Sequence, residues 1–348
     1  MIPALSGFAQ PAGTLVPLRI RASIVAAATA AAVFTLLVSV TSVVEFAYRS
    51  PALHVATETA AALISLVAAQ LIYSRFRTGL QLSDLCLAAA LFVFAVSNLC
   101  FSAIPAIAHS RPGHFQTWVP VAGRLLGAAL IAAAPFIQPR PVHRPRSAAM
   151  RTLVACLVVL ATIVVAVALA GDRLPEAIEP GLSPAGSNHP RIVGNATVLG
   201  VQFITMLLFS AAAVGYTRRA TRTADELDRW LAIATTLGAF ASLNYFLFPS
   251  LYSEWFYAGD VLRLAFYLAL LVGGALELRR TREALATAAV FEERQRIARD
   301  LHDGVAQDLA FIVQHGRYLA RQDVGARRIQ PLVTAAQAAL DESRHAIA

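Results

Sequence analysis

The chain has 348 residues, of which 57% are hydrophobic and only 14% charged, whereas soluble domains average about 25% charged. Together with a mean hydropathy of +0.61, this excludes an ordinary water-soluble globular enzyme and points to a polytopic membrane protein. The formal charge of +8 does not suit nucleic acid, because residues 1–278 hold 18 Arg against 12 acidic residues (net +6) and residues 279–348 hold 11 against 9 (net +2). The excess sits between apolar stretches, where membrane topology accounts for it, so no direct nucleic-acid binding is expected.

All basic residues are arginine. Cys86, Cys100 and Cys156 lie inside apolar runs, which suits small buried side chains rather than a disulfide framework or a metal site. The N-terminus lacks a basic start followed by a cleavage site, so no cleaved signal peptide is expected.

A bilayer core of about 30 Å needs about 20 apolar residues in a helix. Eight stretches are long enough: Ala22–Tyr48, Val55–Tyr73, Leu85–Ala108, Trp118–Ile137, Leu153–Ala170, Val193–Tyr216, Trp230–Phe248 and Val261–Leu278. With both ends cytoplasmic, the inside segments carry Arg19, Arg21, Arg75, Arg77, Arg140, Arg144, Arg146, Arg151, Arg218, Arg219, Arg222, Arg229, Arg279, Arg280 and Arg282. The outside loops carry Arg49, Arg111, Arg173 and Arg191. Fifteen against four sets the orientation by the positive-inside rule. The expected organisation is a cytoplasmic tail over 1–18, a transmembrane sensor domain over 19–280, and a linker helix with a helical hairpin over 281–348. A cell membrane, crossed several times, is the expected location.

The longest external loop, residues 171–194, is rich in Pro and Gly and has no hydrophobic periodicity. It reads as an irregular linker, which leaves sensing to the membrane bundle. Ionisable and amide side chains inside apolar spans are costly in hydrocarbon unless paired. Glu45, Glu58, Asn98, Arg124, Gln202, Asn244 and Arg263 all fall in the outer halves of their spans. They are candidates for an outward-facing polar crevice that senses a ligand or ion, or for helix-to-helix pairing. Arg124 with Glu45 or Glu58, and Asp260 with Arg263, are the expected ion pairs. His54, His109, His114 and His189 also fall on the outer side, but their spacing matches no metal-ligand pattern, and no metal site is expected.

No proline occurs between Pro249 and Pro331, so a helix can leave the last span without an obligatory break. Gly273 and Gly274 are its expected soft point. Ile297, Leu301, Val305, Leu309 and Ile312 recur at helical spacing as one apolar stripe, which calls for a partner helix. A turn around Gly325 is expected next. A second amphipathic helix then carries Ile329, Leu332, Val333, Ala336, Leu340 and Ile347 on one face. Two such antiparallel helices form a four-helix bundle as a homodimer. The fold class is thus all-α: a polytopic eight-helix transmembrane bundle followed by a cytoplasmic antiparallel hairpin.

His302 follows Leu301 of the stripe and is turned about 100° from it. A neutral imidazole is a competent nucleophile toward a phosphoryl group if its other nitrogen can share its proton, and Asp303 stands beside it to accept that proton. Gln307, one turn beyond Asp303, is placed to orient a water. The run FEERQRIARDLHDGVAQDL, residues 291–309, resembles the phosphoacceptor box of the NarX/DesK-type sensor histidine kinases, whose pattern is H-D-x-x-x-Q. The resemblance implies autophosphorylation of His302 within a homodimer, with Asp303 assisting the kinase step and Gln307 the phosphatase step. It also implies transfer to a response regulator with a helix-turn-helix output domain, in a two-component system. The eight-span part is similar, more loosely, to integral-membrane sensor modules of bacterial signalling proteins, embedded in membrane lipid.

Kinases of that family use ATP with Mg2+, held by a domain with an asparagine-bearing helix and a D-x-G-x-G loop. Neither feature occurs in these residues, so the expectation is a fragment or a truncated product that binds no ATP itself. Two other functions remain open at this stage. One is a receptor without its own catalytic domain that accepts phosphate or blocks a partner as a mixed dimer. The other is an eight-span transporter with an incidental tail.

Overall fold

The computed structural model describes residues 12–41, 44–108, 114–138, 140–175, 192, 194–248, 255–321 and 326–345. Those residues are almost entirely helical, and eight of the helices are long and apolar enough to cross a membrane. The chain forms two compact units, residues 1–278 and 279–348.

In the first unit α1 spans Ala12–Val40, α2 Pro51–Gly79 and α3 Leu82–Asn98; a π-helical turn, Leu99–Ala103, leads into the short α4, Ile104–Ile107. Next come α5 (His114–Ala133), α6 (Pro145–Ala170), α7 (Ala196–Thr223) and α8 (Glu226–Leu247), and then α9, which begins at Ala258. The π turn precedes Pro105, whose missing N–H would leave a gap in regular helical bonding; the widened turn accommodates it.

The first apolar stretch ends as helix earlier than its hydrophobicity suggests. Thr35, Ser39 and Thr41 turn their hydroxyls back onto the carbonyls of Ala31, Thr35 and Leu37, and α1 stops at Val40. Beyond it Ala47–Arg49 is a strand, β1, paired antiparallel with β2, Trp255–Tyr257, so that Ala47 opposes Tyr257. Val38, Phe46, Phe248 and Tyr257 pack together beneath this pair, with Phe46 and Phe248 stacked at 4.8 Å. The two strands therefore tie the α1–α2 connection to the segment preceding α9, at what we call the strand end of the bundle.

The core centres on Phe94 of α3, Phe209 of α7, and Phe266 and Tyr267 of α9, whose ring centroids lie 4.8 to 6.3 Å apart. Small residues let the helices close on it. A Cβ on Gly273 would come 2.6 Å from Trp230 Cβ, and one on Gly274 3.0 Å from Leu71 Cδ1. The paired glycines thus serve close approach of α9 to α8 and α2, and this packing rather than softness accounts for them. By contrast α6 lies on the outside against α5 and α3, with only Cys156 and Leu160 buried.

At the opposite, turn end, Leu80 closes α2 in the left-handed region (φ 54°) with its N–H on the Phe76 carbonyl. Its own carbonyl accepts the Val142 N–H at 2.9 Å, and Gln81 bridges Pro141. The segment entering α6 is thereby fastened to the α2–α3 turn.

In the second unit α9 continues as unbroken helix to Arg321, and α10 spans Ala326–His345. The turn expected around Gly325 lies outside the described residues. Val313 on α9 packs against Val333 and Ala336 on α10, with Leu309 beside them, and Arg317 bonds to Gln337. The stripe divides accordingly. Leu309 joins the hairpin seam together with Val313, whereas Ile297, Val305 and Ile312 remain exposed along with Phe291 and Phe311.

Candidate functional site

His302, Asp303 and Gln307 all lie on α9. Gln307 is exposed, and a Cβ on Gly304, three residues before it, would meet nothing within 4 Å. The side chains of His302 and Asp303 lie outside the described residues. So does that of Leu301 from the stripe.

Residues 293–348 match HisKA_3, a histidine kinase family. The HisKA_3 segment contains the whole H-D-x-x-x-Q box and α10, which is the module that dimerises and carries phosphate in NarX/DesK-type kinases. The likeness to histidine kinases of two-component signalling is that of this segment. No curated protein and no solved structure matches the chain.

The sequence candidates inside the spans divide into those the fold gathers and those it does not. Glu58 of α2 is 1% exposed and sits between two guanidinium groups. Arg124 Nη2 of α5 donates to both its oxygens at 2.9 Å, and Arg263 Nη2 of α9 donates to Oε1 at 2.7 Å. Arg124 also donates from Nε to Asn98 Oδ1 at 3.3 Å and from Nη2 to Ser102 Oγ at 3.0 Å, two residues four apart in sequence at the π turn. Asn98 Nδ2 donates to the Tyr267 hydroxyl at 2.8 Å. Arg263 further pairs with Asp260 at 3.0 Å, and Asp260 accepts from the Tyr245 hydroxyl at 2.6 Å and from the Tyr257 N–H at 2.9 Å. Two cations and two anions thus balance, as buried charges must, and the network reaches β2 through Tyr257.

Beside this network is a cavity of about 50 Å³ lined by Arg124, Arg263, Gln202, Thr205, Ser242 and Tyr267 among others. It is polar and large enough to hold water. Asn244 is not part of the network; its Nδ2 donates to Thr35 Oγ1 of α1 at 2.8 Å. Glu45 is a correction: it is exposed, in the non-helical link between α1 and β1, because the first helix ends before it, and Arg124 pairs with Glu58 instead. Of the histidines, His54 is half-buried in α2; His109, His189 and the side chain of His114 lie outside the described residues. No cluster of metal-ligating side chains occurs among the described residues.

A second ion cluster, at the turn end, was not anticipated from the sequence. Arg75 of α2 reaches Asp225 at 2.7 Å, Glu277 at 2.9 Å and Asp84 at 3.4 Å. One guanidinium therefore joins α3, the cap of α8, and α9 just before the first unit ends. Asp225 is committed twice, since it also caps α8 through the Leu227 N–H at 3.0 Å. Next to it Arg219 pairs with the buried Asp228 at 3.2 Å. The available signal was the set of four acidic residues at span ends on the arginine-rich side, which positive-charge counting ignores.

Proposed function

We propose that the protein acts as a membrane sensor histidine kinase of a two-component system, with a sensing membrane bundle and a phosphoacceptor hairpin, working as a homodimer in the cytoplasmic membrane with both termini inside. The observation that carries this reading is the H-D-x-x-x-Q box within the HisKA_3 segment, on a helix continuous with the last of eight apolar spans.

An imidazole nitrogen of His302 attacks the γ-phosphorus of ATP. The bond to the β,γ-bridging oxygen breaks, ADP leaves, and Asp303 takes or shares the proton released from the other ring nitrogen. ATP with Mg2+ is presented by an ATP-binding domain of the kind this family carries. The phosphoryl group then passes to a carboxylate of a response regulator with a helix-turn-helix output domain, and Gln307 orients the water that removes it. The exposed Ile297, Val305 and Ile312 supply the surface for the second copy. The buried ion network and the Arg75 cluster both end on α9, which supports α9 as the element that transmits the stimulus.

The test combines the chain with a cognate ATP-binding domain and labelled ATP and follows acid-labile, base-stable phosphate. His302→Gln abolishes the label. Label that persists in this variant overturns the assignment. Gln307→Ala slows loss of phosphate on the order of 10-fold or more while leaving its arrival intact, because only the hydrolytic step needs an oriented water.

A further inference from the structure

The outside position of α6 leaves a groove of about 650 Å³ between α2 and α6, floored by α3. Its walls are apolar: Leu66 and Ala69 on α2, Leu85, Ala88 and Phe92 on α3, Met150 and Leu153 on α6. Its turn end carries the charge, where Tyr73 and Arg77 on α2 face Arg146 on α6, while Gln70 and Thr152 are the uncharged polar residues of the lining. From Leu66 to Arg77 the helix rises about 16 Å at about 1.5 Å per residue, close to half of a hydrocarbon core of about 30 Å. The groove is therefore one leaflet deep, with its basic end at the level of the headgroups.

The two arginines differ from Arg75 in what they do. Arg75 is consumed by three carboxylates, whereas Arg77 and Arg146 are exposed and, among the described residues, pair with no acidic group. No acidic residue lines the groove. The first turn of α6 holds no acidic residue and has no side-chain cap, so its N–H groups add positive potential at the same end. The Val142–Leu80 hydrogen bond and the Gln81–Pro141 bridge hold the two arginine-bearing segments together, which makes the basic end part of the fold rather than a chance meeting of long side chains.

We infer that this groove is a binding site for one anionic phospholipid of the cytoplasmic leaflet, with an acyl chain along Leu66, Ala88, Phe92 and Leu153 and the phosphate between Arg77 and Arg146. Charge complementarity selects this occupant over a neutral lipid or another helix, because an apolar helix would leave both guanidinium groups unanswered. The leaflet follows from the orientation proposed above; the lipid preference does not depend on it. Bound there, the lipid bridges α2 to the otherwise loosely attached α6.

The experiment delipidates the full chain in detergent, adds phosphatidylglycerol and phosphatidylcholine of identical acyl chains in equal amounts, and counts retained lipids by native mass spectrometry. Two basic side chains near a headgroup give an expected preference of about 30-fold for one phosphatidylglycerol. Arg77→Gln with Arg146→Gln brings the ratio close to unity, whereas Arg222→Gln, an exposed arginine away from the groove, leaves it unchanged. Met150→Trp, which fills the groove from its exposed wall, removes the retained lipid. Equal retention of both lipids by the unsubstituted chain would mean ordinary annular lipid and overturn the proposal. So would an unchanged preference in the double variant, or a Met150→Trp variant that keeps its lipid but loses a dimer, which would make a second copy the occupant. None of these failures touches the phosphoacceptor assignment, which is read from label on His302.

Discussion

Arg263 on α9 and Glu58 on α2, 205 residues apart in sequence, meet at 2.7 Å with the carboxylate almost wholly buried. Arg124 approaches the same carboxylate from α5, so one acidic group holds three helices through two cations. Removing it leaves Arg263 buried with Asp260 alone and Arg124 with only neutral partners, Asn98 and Ser102.

Glu58→Gln is therefore expected to destabilise the bundle by about 3–5 kcal/mol, the usual result of removing one partner from a buried ion pair. Reversible denaturation in mixed micelles measures it. A loss below about 0.5 kcal/mol, within the range of ordinary surface substitutions, would show that water in the adjoining cavity solvates the arginines well enough to replace the carboxylate.

At the turn end Arg75 is the shared partner and Glu277 only one of three carboxylates. Arg75→Gln should cost about 2 kcal/mol, after allowance for its partial exposure, because three acidic groups then face one another. Glu277→Gln should cost less than about 1 kcal/mol. Phosphorylation assays of the two variants separate stability from signalling: a change in basal His302 label with Glu277→Gln, despite its small stability effect, identifies the contact as part of the transmission route.

The divided stripe on α9 predicts two distinct phenotypes. Val313→Asp buries a charge between α9 and α10 and should disrupt the hairpin, seen as loss of helical signal and increased proteolysis near residue 325. Ile297→Asp with Val305→Asp leaves the hairpin contacts untouched and should weaken dimerisation at least tenfold by light scattering or cross-linking. Equal dimerisation of this variant and the unsubstituted chain would place the dimer surface elsewhere.

Two glycines of the bundle give a sharper test of packing. A Cβ on Gly127 would lie 2.9 Å from Phe94 Cε1 and Cζ, whereas one on Gly200 meets nothing within 4 Å. Gly127→Ala should destabilise by about 1–3 kcal/mol through overpacking between α5 and α3. Gly200→Ala should be neutral or stabilise by up to about 1 kcal/mol, since alanine is the better helix former. Thermal unfolding of the detergent-solubilised variants reads both.

How much of this was legible beforehand follows from which forces are local. The eight spans could be read directly because transfer into hydrocarbon depends on composition summed along a stretch, and the phosphoacceptor box because its chemistry is carried by residues within one or two helical turns. The unbroken α9 follows from the absence of proline. What the linear pattern could not supply is choice among partners. Glu45 and Glu58 were equivalent candidates for Arg124, and only the end of α1 at Val40 and the pairing of β1 with β2 decide for Glu58. Val313 rather than Ile312 enters the hairpin seam because the facing register of α10 settles which side of α9 is covered. The Arg75 cluster and the arginine-rimmed groove depend on which helices become neighbours, and neighbour choice rests on packing between segments far apart in sequence. Sequence by itself determined what each segment is; tertiary structure decided which segments meet, because ion pairs and cavities are properties of contact rather than of composition.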